Sequence, residues 1–127
     1  MESFTKRYSI DAPIRNVWQA LVVPKIIDAW GGGPAVMKAR EGTKFSLWGG
    51  DIHGTNTKVL VDKLLVQDWY SAGWKEPSVV MFTLTKNGKG TDVTLTHTNI
   101  PDGEFDEIKS GWDDYYMNPL KNLIEAR

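Results

Sequence analysis

Apolar and polar residues alternate with a period of two at the start of the chain and again through its middle. Phe4, Tyr8 and Ile10 share one face of residues 3–10, which predicts a β-strand. Residues 36–98 contain only strand and turn signals, of which Asn87-Gly88 is the strongest, because Asn-Gly readily takes the positive φ angles of a tight hairpin. Strands joined by short turns pair antiparallel, so we expect a meander.

The period changes to helical spacing in two other regions. Apolar residues at 14, 17, 18 and 21 predict a short helix, and Pro24 ends it and begins a second one that stops at Gly31. Pro119 lies inside a longer C-terminal stripe and lacks an N–H, so we expect it to kink that helix or to end its first segment. The stripe consists of Phe105, Ile108, Trp112, Tyr115, Tyr116, Leu120, Leu123 and Ile124.

This order of elements predicts an α+β domain in which one long C-terminal helix lies on one face of an antiparallel sheet. The length of 127 residues is sufficient for a single domain, 1–127, with its own hydrophobic core. The net charge of −1 provides no electrostatic footprint for nucleic acid or for anionic lipid. No apolar run approaches the roughly 18 residues of a membrane span, and no secretory signal is visible.

Cysteine is absent, whereas tryptophan is abundant. The lack of cysteine excludes disulfides, thiolate nucleophiles and cysteine-based zinc sites, and it fits a cytoplasmic protein. Tryptophan is large and has an N–H that needs a partner, so it is seldom plain filler in a small core. The six rings could wall an apolar cavity, form a partner surface or simply fill an aromatic core. They stand at positions 18, 30, 48, 69, 74 and 112.

Several pieces of the chain, taken in their order, resemble a known family. The pieces are Ala12-Pro13 with Val17-Trp18, Trp30 before glycines, Phe45, and residues 49–54, 65–69, 90–97, 100–101 and 111–116. Together they resemble the homologues of the activator of the heat-shock-protein-90 ATPase, which belong to the START-like (SRPBCC) superfamily. The eukaryotic activators also have an N-terminal domain with an asparagine- and tryptophan-rich contact motif, and no segment of this chain matches it.

The resemblance implies the helix-grip fold. In that fold a curved antiparallel sheet of about six or seven strands wraps around the long C-terminal helix, and two short helices follow the first strand. Such folds usually hold a hydrophobic cavity between sheet and helix, so the resemblance implies a binding architecture and no particular reaction. It also makes the heat-shock-protein-90 chaperone a candidate partner and the stress response a candidate context.

Ten residues are candidates for lining a ligand site, and the alternative is that they fill the core with no ligand. Tyr115 and Tyr116 are adjacent on a helix and point about 100° apart, so we expect one of them at a cavity edge or a partner surface. The ten are Phe45, Trp48, Trp69, Trp74, Phe82, Leu84, His97, Trp112, Tyr115 and Tyr116.

The tryptophans are expected to form two groups. Those that match the pattern of the family that the chain resembles should build the grip between helix and sheet, namely Trp18, Trp69 and Trp112. Those beside glycines or turns are better placed for a cavity mouth or a partner surface, namely Trp30, Trp48 and Trp74.

His97, together with a tyrosine or an aspartate, is the main candidate for acid–base chemistry; the adjacent Asp113 and Asp114 diverge on a helix and are better explained as a solvated face. It shares its strand parity with Val93 and Leu95, so it should point inward, where it could orient a polar ligand group or carry a proton. The alternative is an ordinary core histidine. His53 and His97 lie on different strands without paired-ligand spacing and no nucleophile motif is present, so we expect neither metal nor cofactor.

Three functions remain open at this point. We favour a non-enzymatic module that binds a small hydrophobic ligand, a protein partner or both. The alternatives are a co-chaperone that stimulates the heat-shock-protein-90 ATPase, and a cyclase- or hydrolase-like enzyme that uses His97. The module is expected to be a monomer or a weak homodimer, and to bind neither nucleic acid nor a membrane.

Overall fold

In a computed structural model that describes residues 1–127, six strands form one antiparallel sheet with the order β1-β6-β5-β4-β3-β2. The four strands from β3 to β6 follow one another through short connections, and each pairs with the next, so the predicted meander is confirmed. The strands are β1 (Glu2–Ile10), β2 (Lys44–Leu47), β3 (Ile52–Leu60), β4 (Leu64–Ser71), β5 (Ser78–Asn87) and β6 (Gly90–Ile100).

Two short helices follow β1, and a long helix ends the chain, as the helix-grip fold requires. The C-terminal helix has three parts: an α-helical part, a π-helical part, here called the π segment, and a second α-helical part. The helices are α1 (Ile14–Val22), α2 (Pro24–Trp30), α3 (Phe105–Gly111), the π segment (Trp112–Met117) and α4 (Asn118–Glu125). The α+β fold class is therefore confirmed, with six strands.

The π segment is how the chain accommodates Pro119. Proline has no N–H, so it cannot donate to the carbonyl of Tyr115 as an α-helix would require. The N–H of Asn118 bonds instead to the carbonyl of Asp113, five residues back. The α pattern then resumes with Pro119 in its first turn, where a missing N–H needs no partner. The prediction that Pro119 ends the first helical segment is correct.

The π segment also decides which aromatic side chains are buried. Trp112, Tyr116 and Met117 all lie in the core, whereas 68% of Tyr115 remains exposed. An insertion of this kind changes the rotation of the helix, so one wide apolar face is directed onto the sheet. The two neighbouring tyrosines therefore have opposite environments.

The concave face of the sheet supplies the other half of the core. Trp69 shares its strand parity with the buried Leu65 and Gln67, so it points inward, a question that the sequence alone leaves open. In β3 the register shifts between Asn56 and Lys58, and the inward-facing positions change from even to odd there. A strict period of two would have misassigned the second half of that strand.

A polar contact at the sheet edge ties β1 to the π segment. The hydroxyl of Tyr8 donates a hydrogen bond of 2.7 Å to Oδ1 of Asp113, and the ammonium of Lys6 pairs with Oδ2. Partial burial acts to raise the pKa of Asp113, but the bonds from Lys6 and Tyr8 outweigh it and the pKa lies below its usual value. The contact therefore stabilises the fold when Asp113 is ionised.

We predict that Asp113→Asn lowers the free energy of unfolding by about 1 kcal/mol at neutral pH, a value reduced from that of a buried pair because both partners are partly exposed. The loss should disappear as pH falls through the lowered pKa of Asp113, since the wild-type carboxylate is then neutral as well. Urea unfolding measures both effects. Asp114→Asn, at the exposed neighbouring position, is the matched control, and an equal loss there would contradict the assignment.

Candidate functional site

A cleft of about 320 Å³ lies between the turn that joins β2 to β3 and the junction of α3 with the π segment. Its walls are mainly aromatic and aliphatic, and Asp51 is the one charged residue among them. This composition is typical of a site for an apolar small molecule. The lining residues are Trp48, Asp51, Ile52, Trp69, Ile108, Gly111, Trp112, Tyr115 and Tyr116.

Stacked rings build the inner wall of the cleft. Trp69 and Trp112 stack with centroids 4.7 Å apart and an angle of 24° between their planes. Tyr116 lies 4.7 Å from Trp112 and 4.6 Å from Trp30, and its ring is also within 6.2 Å of Trp48. Aromatic pairs at these distances each add roughly 0.5–1.5 kcal/mol beyond simple burial, so the ring contacts stabilise this wall.

A buried chain of hydrogen bonds behind this wall includes His97. The indole Nε1 of Trp112 donates to Nδ1 of His97 over 3.0 Å, so Nδ1 is an acceptor and the proton is on Nε2. Nε2 then donates to the hydroxyl of Ser78 over 2.8 Å, and that hydroxyl donates to the carbonyl of Trp69. Every polar side-chain group in this series of hydrogen bonds therefore has a partner.

These hydrogen bonds determine what the side chain of His97 can do. The side chain is 0% exposed, and burial lowers its pKa to about 4. Both ring nitrogens are occupied by protein groups, so neither is free to exchange a proton with a substrate. The geometry is that of a core histidine whose partners fix its tautomer, and it argues against a role as acid or base.

A second buried polar chain holds Trp69. Its indole Nε1 donates to Oε1 of Gln67, and Nε2 of Gln67 donates to Oδ1 of Asn56 over 2.8 Å. Asn56 in turn donates to the carbonyl of Lys38. Gln67 and Asn56 are 0% exposed, so this chain links β4, β3 and the loop before β2 inside the core. In the sequence, the only indication of these buried hydrogen bonds is a glutamine at an inward-facing strand position.

Five of the ten predicted site residues border the cleft: Trp48, Trp69, Trp112, Tyr115 and Tyr116. Phe45, Phe82 and Leu84 are instead packed inside the core, because the aromatic wall and the helix fill the space above them. Trp74 borders a second cleft of about 230 Å³, where its indole N–H bonds to Glu104 over 2.9 Å, and His97 lies behind the wall of that cleft with no exposed surface.

Four residues of the cleft were missed by sequence reasoning: Asp51, Ile52, Ile108 and Gly111. A usable signal existed for the last two, since Ile108 and Gly111 precede Trp112 and Tyr115 by four positions each and therefore share a helix face with them. Asp51 and Ile52 follow the turn after Trp48, and only the folded turn brings them to the cleft.

Trp30 does not form a cavity mouth or a partner surface, and the prediction that placed it there is wrong. Its ring is buried, and its Nε1 donates to the carbonyl of Ala20 over 2.9 Å. In a continuous helix that carbonyl would accept from residue 24, but Pro24 has no N–H. The indole of Trp30 therefore supplies the donor that the proline cannot.

No three histidine, cysteine or carboxylate side chains are grouped closely enough to hold a metal ion. None of the helices is both long enough and apolar enough to cross a membrane.

The family model described as "Activator of Hsp90 ATPase homolog 1-like protein" matches residues 11–125. The chain belongs to this family. The resemblance carried by the sequence motifs is thereby confirmed. Among curated relatives, the human "Activator of 90 kDa heat shock protein ATPase homolog 1" is 28% identical over 112 residues, which cover 86% of this chain and 33% of the human protein. The chain thus spans about a third of the length of the curated relatives it matches.

Solved structures share the fold across almost the whole chain. The crystal structure of an HSP90 activator from Plasmodium falciparum has a TM-score of 0.90 and 24% identity, covering 97% of this chain and 96% of that one. The solution structure of the Aha1 dimer from Colwellia psychrerythraea has a TM-score of 0.84 and 19% identity, covering 98% and 97%. At these identities the likeness concerns the fold alone, and the cleft must be argued from its own residues.

The lowered pKa of His97 predicts a pH-dependent stability. The unfolded chain takes up a proton near the usual pKa of about 6.5, whereas the folded protein resists protonation down to about pH 4. The free energy of unfolding should therefore fall by about 2 kcal/mol between pH 7 and pH 5 from this residue alone.

Urea unfolding at several pH values measures this effect. Subtraction of the curve for His97→Gln isolates the contribution of His97, and His53→Gln, at an exposed position, is the control that should follow the wild type. Parallel curves for the wild type and His97→Gln would refute the buried neutral histidine.

Proposed function

We propose that this domain is a non-enzymatic binding module and that the aromatic cleft holds its ligand. The single observation that carries the proposal is the cleft wall itself. Trp48, Trp69 and Trp112 present ring surfaces there, while their indole N–H groups bond to protein atoms elsewhere. Ring surface without free indole donors favours an apolar occupant.

The size of the cleft indicates a small ligand. Sites for small molecules typically enclose roughly 300–1,000 Å³, and a volume of about 320 Å³ lies near the lower limit of that range. Removal of apolar ligand surface from water would contribute roughly 25 cal/mol per Å² toward binding. The stacked rings favour affinity further, because their contacts with one another already hold the wall in place before a ligand binds.

The enzyme alternative has less support. It depended on His97 as a proton carrier, and that side chain is buried with both nitrogens hydrogen-bonded. We therefore infer a binding role and assign no catalytic residue.

Gly111 offers a direct test, because it lines the cleft at a helical position with open space. A β-carbon added there would meet only Cδ2 of Tyr115, at an ordinary contact distance of 3.7 Å. We predict that Gly111→Phe fills the cleft and weakens binding of the neutral apolar dye N-phenyl-1-naphthylamine at least tenfold, measured by dye fluorescence.

Gly111→Ala is the matched control for this test. It should bind the dye nearly as well as the wild type, and it should be more stable by about 0.5–1 kcal/mol, since alanine is the better helix former. If Gly111→Phe is folded and binds the dye like the wild type, the ligand does not occupy this cleft.

A second candidate function is that of a co-chaperone, which the family membership favours. The chain would then bind the 90 kDa heat shock protein in the cytoplasm and stimulate its ATPase, as a monomer or a weak homodimer. We predict that the purified protein raises the ATP turnover of the host chaperone. Absence of both stimulation and measurable binding would contradict this function.

The Gly111→Phe variant separates the two functions. If it stimulates the chaperone like the wild type but no longer binds the dye, the partner surface and the cleft are independent. If both activities are lost while the fold is intact, the cleft region is also the contact surface for the chaperone.

A further inference from the structure

The indole N–H groups that line the cleft are not available to a ligand. Its three indole N–H groups donate to protein acceptors: Trp48 to the carbonyl of Gly31, Trp69 to Gln67 and Trp112 to His97, at 2.8–3.0 Å. Each bond directs the indole N–H to a protein group, so these rings contribute only apolar surface to the cleft. Any specific polar recognition inside the cleft must therefore come from another residue.

Three polar side chains remain: Asp51 is a carboxylate and accepts only, and Tyr115 is 68% exposed, so water already solvates it. Tyr116 is the buried one. Its side chain is 1% exposed, it lines the cleft, and its hydroxyl is buried without a hydrogen-bond partner in the protein. A buried hydroxyl that makes no bond destabilises the folded state, and phenylalanine would fill the same volume without that cost. No hydrogen bond within the protein explains this hydroxyl, so an acceptor atom of a ligand that reaches it would supply the missing partner.

The hydroxyl is available as a hydrogen-bond donor. Burial raises the pKa of Tyr116 above its usual value, so the phenol keeps its proton throughout the physiological range. A neutral phenol O–H bonds well to a carbonyl oxygen. The complementary ligand therefore has an acceptor atom within an otherwise apolar body.

The charge around the cleft selects against anions. No lysine, arginine or histidine lines it, and its charged residue is the carboxylate Asp51. The adjoining smaller cleft adds two more carboxylates, Glu104 and Glu107. A ligand carboxylate would meet like charge and no cation, a combination that disfavours binding.

We propose that the cleft binds a neutral, flat aromatic molecule whose carbonyl oxygen accepts a hydrogen bond from the hydroxyl of Tyr116. The assignment rests on the proposed ligand-binding function and adds the ligand class and the specificity-determining residue. The flat shape follows from the aromatic walls, in which the rings of Trp48 and Tyr115 keep exposed surface for stacking.

Three probes of nearly equal shape test the proposal. They are 2-acetylnaphthalene, which has the acceptor; 2-isopropenylnaphthalene, in which a methylene group replaces the carbonyl oxygen; and 2-naphthoate, which is anionic. Each is titrated into ¹⁵N-labelled wild-type protein and Tyr116→Phe, and dissociation constants are taken from the indole N–H signals. The signals of Trp48, Trp69 and Trp112 should shift, whereas that of Trp18, which does not line the cleft, should not.

The decisive quantity is a ratio of ratios. The preference for ketone over alkene in the wild type is divided by the same preference in Tyr116→Phe, so differences in the hydration of the two probes cancel. A neutral hydrogen bond predicts a value of about 3–10. The alkene should bind the variant at least as tightly as the wild type, and 2-naphthoate should bind the wild type at least tenfold more weakly than the ketone.

The outcomes separate this inference from the function on which it rests. If ketone and alkene bind but the ratio is one, the role of Tyr116 is refuted and the binding module stands. Tighter binding of 2-naphthoate than of the ketone refutes the neutral ligand class. If no probe shifts any cleft indole, both proposals fail. Tyr116→Phe should unfold at a urea concentration no lower than the wild type, which shows that altered binding does not reflect a damaged fold.

Discussion

The hydrogen bond from Trp112 to His97 fixes the position of the C-terminal helix over the sheet. Apolar burial holds the helix down but is non-directional, so it does not by itself define how far the helix slides or turns. A buried N–H must find its acceptor within a narrow range of distance and angle. Because His97 is itself held by Ser78, the indole of Trp112 has one place to bond. The cleft beside Trp112 depends on that placement.

The same requirement applies to the other tryptophans and explains their distribution. Five of the six indole N–H groups donate to protein acceptors, and two of those acceptors are carbonyls of Ala20 and Gly31, near the ends of α1 and α2. Helix ends leave carbonyls without partners, so an indole placed there satisfies both groups. A tryptophan beside a proline or a glycine break can therefore be structural, which is why Trp30 did not follow its predicted role.

Much of the fold could be predicted because local signals and tertiary structure agree in it. The Asn87-Gly88 turn, the alternation in β4 to β6 and the C-terminal apolar stripe each specify their element without reference to the rest of the chain. The cleft could not be predicted in the same way. Whether Tyr115 or Tyr116 is buried depends on the π segment, and the inward face of β3 depends on a bulge. The π segment and the bulge are both shifts of one residue, which a fixed period does not encode. Phe45, Phe82 and Leu84 lie on the expected face, but only the packed core shows that they fill it rather than border a cleft.

Two residues of the cleft, Gly111 and Tyr116, are poor choices for stability alone. Gly54, which lies outside the cleft, shows the contrast: a β-carbon there would collide with the backbone of Asp68, so glycine is needed for packing. Gly111 has no such reason, because it is helical and has open space around it, where alanine would stabilise the helix. Tyr116 likewise buries an unpaired hydroxyl where phenylalanine would be less costly. Departures from local optima are expected where function constrains the sequence, and these two occur at the same cleft. One keeps the cleft open and the other gives it a polar group, which are the two properties that a selective site for a small apolar ligand needs.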